Sequence, residues 1–223
     1  MPNCLLADSI RKSFNEKQVL TDIFLKCQTG DIIGLLGRNG SGKSTLLKII
    51  FGTLHTDYKH ISINGAVIDS PFEEQGTISY LPQEDFLPKS MTVKKLIAIF
   101  NSVLNPELIY KDQIVSKILE TKIRNISGGE LRYLEIILIL NLDSQFVLLD
   151  EPFNGLSPLQ IEIVKDLIKK TAIKKGIILT DHDYRNVLNV ANKYMILFDG
   201  GIKILNSQED YAYWGYLPES KKK

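Results

Sequence analysis

Ile32-Ile33-Gly34-Leu35-Leu36-Gly37-Arg38-Asn39-Gly40-Ser41-Gly42-Lys43-Ser44-Thr45 opens as an apolar run, passes through a glycine-rich turn and ends where a helix can start. From Gly37 to Ser44 it fits GxxxxGK(S/T), a loop in which glycines permit positive φ and backbone N–H groups turn inward on an anion. Lys43 is then placed to reach the β- and γ-phosphates of a nucleotide, and the Ser44 hydroxyl to ligate Mg²⁺. Leu46-Leu47-Lys48-Ile49-Ile50 follows with apolar residues at helical spacing, so a helix N-terminus faces the phosphate.

The 223 residues allow one large domain, or a core with a smaller subdomain. With 27 Lys+Arg against 26 Asp+Glu the formal charge is +1, and no global bias points to nucleic acid or a membrane surface. Cys4 and Cys27 make no disulfide scaffold, which fits a reduced, cytosolic protein. The apolar stretch 134–142 is broken by Glu135 and Asn141 and is far short of the ~20 residues a membrane-spanning helix needs. Met1-Pro2-Asn3-Cys4 lacks a basic region followed by a long apolar core, so no signal peptide is expected.

Residues 4–10 and 19–27 read as two strands around a polar turn over 12–18, an antiparallel edge region leading into the phosphate-loop strand. Phe14 falls in that turn. Alternating runs around Asn64-Gly65 predict a hairpin. A strand over 77–81 is stopped by Pro82 and delivers Gln83 to its C-terminal end. Helical periodicity begins at Thr92, with Val93, Leu96, Ile97 and Phe100 on one helix. Leu108, Ile109, Ile114, Ile118 and Leu119 mark a second, beyond a break at Asn105-Pro106. Ser127-Gly128-Gly129-Glu130 opens another helix. Its Ser-x-x-Glu spacing fits a capping box, but a box does not require glycines, which cost helix stability while exposing backbone N–H groups to a close anion.

Residues 145–152 form an apolar strand ending in Asp150 and Glu151. Carboxylates at the end of a buried strand are costly unless they meet a cation or a water-rich site. With the phosphate loop upstream, Asp150 suits a Mg²⁺ shell and Glu151 suits positioning or deprotonating an attacking water. A further parallel strand over 176–180 ends in Asp181-His182-Asp183, at the strand end where open α/β sheets bind ligands. Residues 194–198 and 202–205 flank a closing turn. The aromatic tail, Tyr211 to Tyr216, reads as packing, and Lys221 to Lys223 as a solvated end.

Together these motifs resemble the ATP-binding cassette (ABC) ATPases over nearly the whole chain. Ile126-Ser127-Gly128-Gly129-Glu130 looks like the family signature, placed before the strand that ends in Asp150-Glu151. The resemblance implies an α/β fold, a P-loop NTPase (RecA-like) core with an antiparallel β subdomain and a small helical subdomain. It implies a single domain over 1–223: core and antiparallel region at about 1–83 and 127–210, and helical subdomain at about 84–140. It makes Phe14 the adenine-stacking aromatic and Gly37, Arg38, Asn39, Gly40, Ser41, Gly42, Lys43, Ser44 and Thr45 the phosphate and Mg²⁺ loop. By the same resemblance Gln83 would link Mg²⁺ and attacking water to the transporter subunit, Glu151 would be the catalytic glutamate, and His182 would contact the γ-phosphate. Ser44, Gln83 and Asp150 would form the metal shell.

One chain thus carries two phosphate-ready helix starts but one adenine platform. In the family these serve different nucleotides: two subunits pair head-to-tail, and Ser127, Gly128, Gly129 and Glu130 of one cap the ATP held by Lys43 of the other. The implied protein is the ATP-hydrolysing subunit of an ABC transporter, a homodimer or a pair with a related subunit. It is cytoplasmic, carried on the inner face of the membrane by integral membrane transporter subunits, with no nucleic acid expected. Residues 84–90, with Phe86 and Leu87, are the candidate docking groove for a membrane partner. A soluble non-transport ABC ATPase and a nucleotide-dependent binding module with weak hydrolysis are the alternatives. Ser157 stands where the family usually has an aspartate that helps two sites communicate, and the helix after the signature is more apolar than usual.

Overall fold

The run 32–36 forms a strand buried on both faces, and so do 146–150 and 176–180, as their near-continuous Ile, Leu and Val content demands. The computed structural model describes residues 2–56, 58–100, 106–206, 210, 213 and 214. In chain order the elements are β1 (Cys4–Phe14), β2 (Lys17–Gln28), β3 (Ile32–Leu36), α1 (Lys43–Phe51), β4 (Tyr58–Ile63), β5 (Ala66–Val67) and β6 (Ile78–Leu81). Then follow α2 (Val93–Ile99), α3 (Pro106–Tyr110), α4 (Gly128–Asn141), β7 (Phe146–Asp150), α5 (Pro158–Ala172), β8 (Gly176–Thr180), α6 (Tyr184–Val190), β9 (Lys193–Phe198) and β10 (Gly201–Leu205).

Six strands form one sheet in the order β10-β9-β3-β8-β7-β6, parallel except for the closing β9–β10 hairpin. A separate antiparallel sheet has the order β2-β1-β4-β5. The period of two divides the central strands between two cores. Ile33, Leu35, Leu148 and Ile178 face α1 and the antiparallel sheet. Ile32, Leu36, Val147, Leu149, Ile177 and Leu179 face α4, α5 and α6. Gly34 faces α6, where a Cβ would come within 2.3 Å of Val187 Cγ1.

Three expectations are corrected. The 12–18 turn is shorter, because β1 runs through Phe14 and β2 restarts at Lys17, leaving Asn15 in a left-handed conformation at the corner. The second helix of the insert stops at Tyr110, since the Asp112 carboxylate accepts from the amides of Ile114 and Val115 at 2.9 and 3.0 Å and ends the helical ladder. Residues 115–117 and 123–125 are short 3₁₀ turns instead, and Asn105 lies outside the described residues. Leu87, expected to line a groove, is 5% exposed and belongs to the α4-side core.

The apolar α4 is buried along 131–140, as a helix hydrophobic on all sides must be. Of the aromatic tail, Tyr213 and Trp214 are described: Trp214 packs on Phe198 with ring centroids 4.6 Å apart, and Lys203 lies over its face. Tyr211, Tyr216 and Lys221 to Lys223 lie outside the described residues.

Candidate functional site

Four loops leave the C-terminal ends of parallel strands on one edge of the sheet: those after β3, β6, β7 and β8. They carry the phosphate loop, Gln83, Asp150-Glu151 and Asp181-His182 respectively, as expected for a ligand crevice in an open α/β sheet. A cavity of about 520 Å³ lies there, lined by Phe14, Val19, Asn39, Gly40, Gly42, Lys43, Ser44, Thr45, Gln83, Glu151 and His182. Phe14, the last residue of β1, is half-exposed, with the Lys12 ammonium 5.0 Å from its ring centroid.

Gly42, the N-cap of α1, has φ +106°, a conformation that favours glycine, and a Cβ there would press on Val19 at 2.8 Å. Lys43 is buried, and its Nζ donates to the carbonyls of Gly37 and Arg38 at 2.8 and 3.2 Å. Burial lowers its pKa, opposed by the charges of Glu151, Asp150 and Asp181. Arg38 and Ser41 line a neighbouring hollow of about 370 Å³ with Phe198 and Trp214, on a different side of the loop.

Asp150 is fully buried at the end of β7 and is surrounded by hydroxyl donors. Ser44 and Thr180 donate to its Oδ1 at 2.9 Å each, and Tyr80 donates to Oδ2 at 3.1 Å. Burial, then the charge of Asp150, push the Tyr80 phenol pKa up, so it stays a donor. The next residue, Glu151, has φ +50°, unusual without glycine, and turns its carboxylate into the cavity. Gln83 Nε2 donates to Glu151 Oε2 at 3.1 Å, and His182 Nδ1 lies 3.9 Å from the same oxygen. Below them Asp181 is nearly closed off from solvent; burial raises its pKa, opposed by bonds from the Asp183 and Phe153 amides at 2.8 and 3.3 Å.

The start of α4 is elsewhere. Ser127 to Glu130 are not among the residues lining the cavity. The capping box is present: Ser127 Oγ accepts from the Glu130 amide at 3.2 Å, and the Glu130 carboxylate accepts from the Ser127 amide at 2.9 Å. Gly129 is committed within the chain, since a Cβ would meet the Gly155 carbonyl at 3.0 Å. Gly128 is exposed, and a Cβ there would meet nothing within 4 Å.

Residues 20–154, more than half of the chain, match the family model described as ABC transporter. The chain belongs to the ABC transporter family. It is similar to the lipopolysaccharide export system ATP-binding protein LptB of Acidithiobacillus ferridurans, at 30% identity over 94% of this chain and 92% of that one. The protein of the same name from Escherichia coli strain K12 is 28% identical over 88% and 87%. A solved ATP-binding subunit of an ABC transporter shares the fold with a TM-score of 0.81, 24% identity and coverage of 95% and 93%. A nucleotide-free ATP-binding cassette from an ABC transporter gives 0.77, 25%, 96% and 94%. The ABC ATPase described here is therefore an ATP-binding subunit that hydrolyses ATP to power a transporter.

What sequence reading missed in this ABC ATPase lies one layer behind the cavity. Arg132 and Glu135 sit in the middle of α4, both buried. Arg132 Nη2 donates to the carbonyls of Asp150 and Glu151 at 2.7 and 3.0 Å, and Nη1 to that of Pro82 at 2.8 Å. Tyr80 and Thr180 hold the Asp150 carboxylate by donating to it, and Asp181 holds the loop after Glu151 by accepting from the Phe153 amide. Glu135, an acid in an apolar helix, was the available signal, because a buried carboxylate implies a buried partner. Ser157 caps α5, bonding the Gln160 amide at 3.4 Å and completing a second capping box.

The donor set also fits Mg²⁺. That ion keeps several waters and is held through one or two carboxylates plus substrate phosphates. Ser44 Oγ and Asp150 Oδ1 bring hard oxygens together beside the loop, and no group of three or more His, Cys, Asp or Glu placed to hold a metal occurs among the described residues.

Proposed function

We propose that the chain acts as one nucleotide-binding unit whose Lys43, backbone amides at 37–45 and Phe14 hold ATP. In this reading Ser44, Asp150 and Gln83 hold Mg²⁺. Mg²⁺, when bound, supplies charge neutralisation at the β- and γ-phosphates. Glu151 orients a water and accepts its proton, while Gln83 and His182 fix the carboxylate and face the γ-phosphate.

The competent site is shared between two chains. The carrying observation is Gly128: a Cβ there would meet none of the described residues within 4 Å, yet a glycine sits exposed at a helix start, where the first amides have no partner within the helix. A head-to-tail dimer, of this chain with itself or with a related subunit, brings Ser127 to Glu130 onto the ATP of the other subunit. Gly128→Ala should leave thermal stability unchanged or raise it by up to about 1 kcal/mol, because alanine is the better helix former. It should also cut ATP turnover at least about tenfold, since an added methyl group would stand between the helix start and the phosphate and hinder closure. Thermal melts and steady-state phosphate release on the same preparation check both, and full turnover would count against the shared site.

Among the described residues no helix is long and apolar enough to cross a membrane. The transport role then calls for a partner that spans the membrane, with this subunit on its cytoplasmic face. Phe86, 41% exposed in the segment after Gln83, is the apolar contact offered to it. Phe86→Asp should reduce co-purification with the membrane subunit severalfold while the protein still melts cooperatively. Leu87→Asp, in the core, should fail to fold instead. Equal co-purification of Phe86→Asp and wild type would remove this segment from the docking surface.

A further inference from the structure

Arg132 and Glu135 lie one helical turn apart on α4, with relative exposures of 6% and 0%. Burying a guanidinium and a carboxylate is costly unless both are paired and hydrogen-bonded, and replacing such a pair by hydrocarbon often leaves stability intact. A pair that served packing alone therefore needs no charge. This one uses its charges on backbone. Arg132 Nη1 spans from the Pro82 carbonyl to Glu135 Oε2 at 3.3 Å, and Nη2 bridges the carbonyls of Asp150 and Glu151. Glu135 Oε1 in turn accepts from the Phe86 amide at 3.1 Å.

Two backbones are thereby clamped together. One precedes Gln83 directly and the other belongs to Glu151, the two residues whose side chains meet at 3.1 Å in the cavity. The grip on Glu151 falls where the backbone is unusual, at φ +50°. Such a conformation persists only when its surroundings over-determine it, and the Arg132 bond adds to two more restraints: the Glu151 amide donates to the Thr180 carbonyl at 3.0 Å, and the Asn154 amide donates to the Glu151 carbonyl at 3.3 Å. A lysine cannot substitute, because a single ammonium lacks the planar fork that reaches three carbonyls at once.

We propose that Arg132, oriented by Glu135, is the positioning residue that sets the Glu151 carboxylate against Gln83, where it accepts the proton of the water that attacks the γ-phosphate. The proposal rests on the reading of Glu151 as the group acting on water. The test is a double-variant cycle in the full-length chain, with Arg132→Lys made alone and on a Glu151→Gln background. Single-turnover hydrolysis, ATP affinity and thermal melting are read for each protein.

Arg132→Lys alone should slow hydrolysis roughly ten- to a hundredfold with ATP affinity within about threefold of wild type. On the Glu151→Gln background it should slow the residual rate less than about twofold, since a residue acting through Glu151 has nothing left to position. Losses that multiply in the double variant, or a rate within about twofold of wild type in Arg132→Lys alone, overturn the proposal. If Arg132→Lys fails to melt cooperatively, Glu135→Gln takes its place in the same cycle. It keeps an acceptor for the Phe86 amide and removes the countercharge, with an expected slowing of roughly three- to tenfold; an unchanged rate overturns the proposal. Undiminished turnover in Glu151→Gln alone overturns the reading of Glu151 together with this inference. A slow Glu151→Gln with additive losses overturns the role of Arg132 and leaves Glu151 standing.

Discussion

Glu151→Gln should lower steady-state ATP turnover by at least about a hundredfold while leaving ATP affinity within a few-fold, the span general-base catalysis typically contributes. The substitution preserves volume and keeps an oxygen facing the cavity, so the phosphate loop is undisturbed. It removes the carboxylate that, among the described residues, lines the cavity, because Asp150 and Asp181 lie buried behind it. With hydrolysis blocked and ATP still bound, the dimer should persist in its closed form and run as a larger species in size-exclusion chromatography with ATP and Mg²⁺. Turnover equal to wild type would remove Glu151 from the chemistry.

Lys43→Ala should act one step earlier, weakening ATP binding itself. A charge-assisted hydrogen bond to phosphate contributes about 1.5–3 kcal/mol, which corresponds to roughly ten- to a hundredfold in affinity. The ammonium is pre-placed, since the Gly37 and Arg38 carbonyls fix it over the loop at 2.8 and 3.2 Å. The three acids near it favour its charged form against burial. Titration with a fluorescent ATP analogue reads the loss directly. Affinity unchanged in Lys43→Ala would place the phosphates elsewhere. The two variants thus separate binding from chemistry: Lys43→Ala fails to load, and Glu151→Gln loads and stalls.

The cavity was legible in the sequence because its parts are local. Four of them begin with a strand whose apolar run marks burial, and the site residue follows at most seven positions after that strand's end: Lys43 after 32–36, Gln83 after 78–81, Glu151 after 146–150, His182 after 176–180. The layer behind was not legible, since it depends on which strand ends become neighbours. Tyr80 reaches Asp150 across 70 positions and Thr180 across 30, and nothing in either local pattern announces the contact. Glu135 reads as an interruption of an apolar stretch, and Arg132 carries no local signal, until α4 is packed beside β6 and α5. In the insert the apolar spacing through 108–119 promised a helix, but the Asp112 side chain offers Ile114 and Val115 a competing acceptor. Leu87 sits one residue from the exposed Phe86 in a stretch without periodicity, so its burial in the α4-side core is set by tertiary packing and not by local pattern.

In the proposed dimer each working site takes Lys43 from one chain and Ser127 to Gly129 from another. Mixing two inactive variants measures this directly. Lys43→Ala disables the loop of a chain, and Ser127→Arg blocks its signature start, so each homodimer is dead. In a head-to-tail heterodimer both defects fall in one site and the other site is intact. An equimolar mixture should therefore recover roughly a quarter of wild-type ATPase activity, from one sound site in the half of the dimers that are mixed. Activity no higher than the sum of the two separate variants would contradict the account and return the whole site to a single chain.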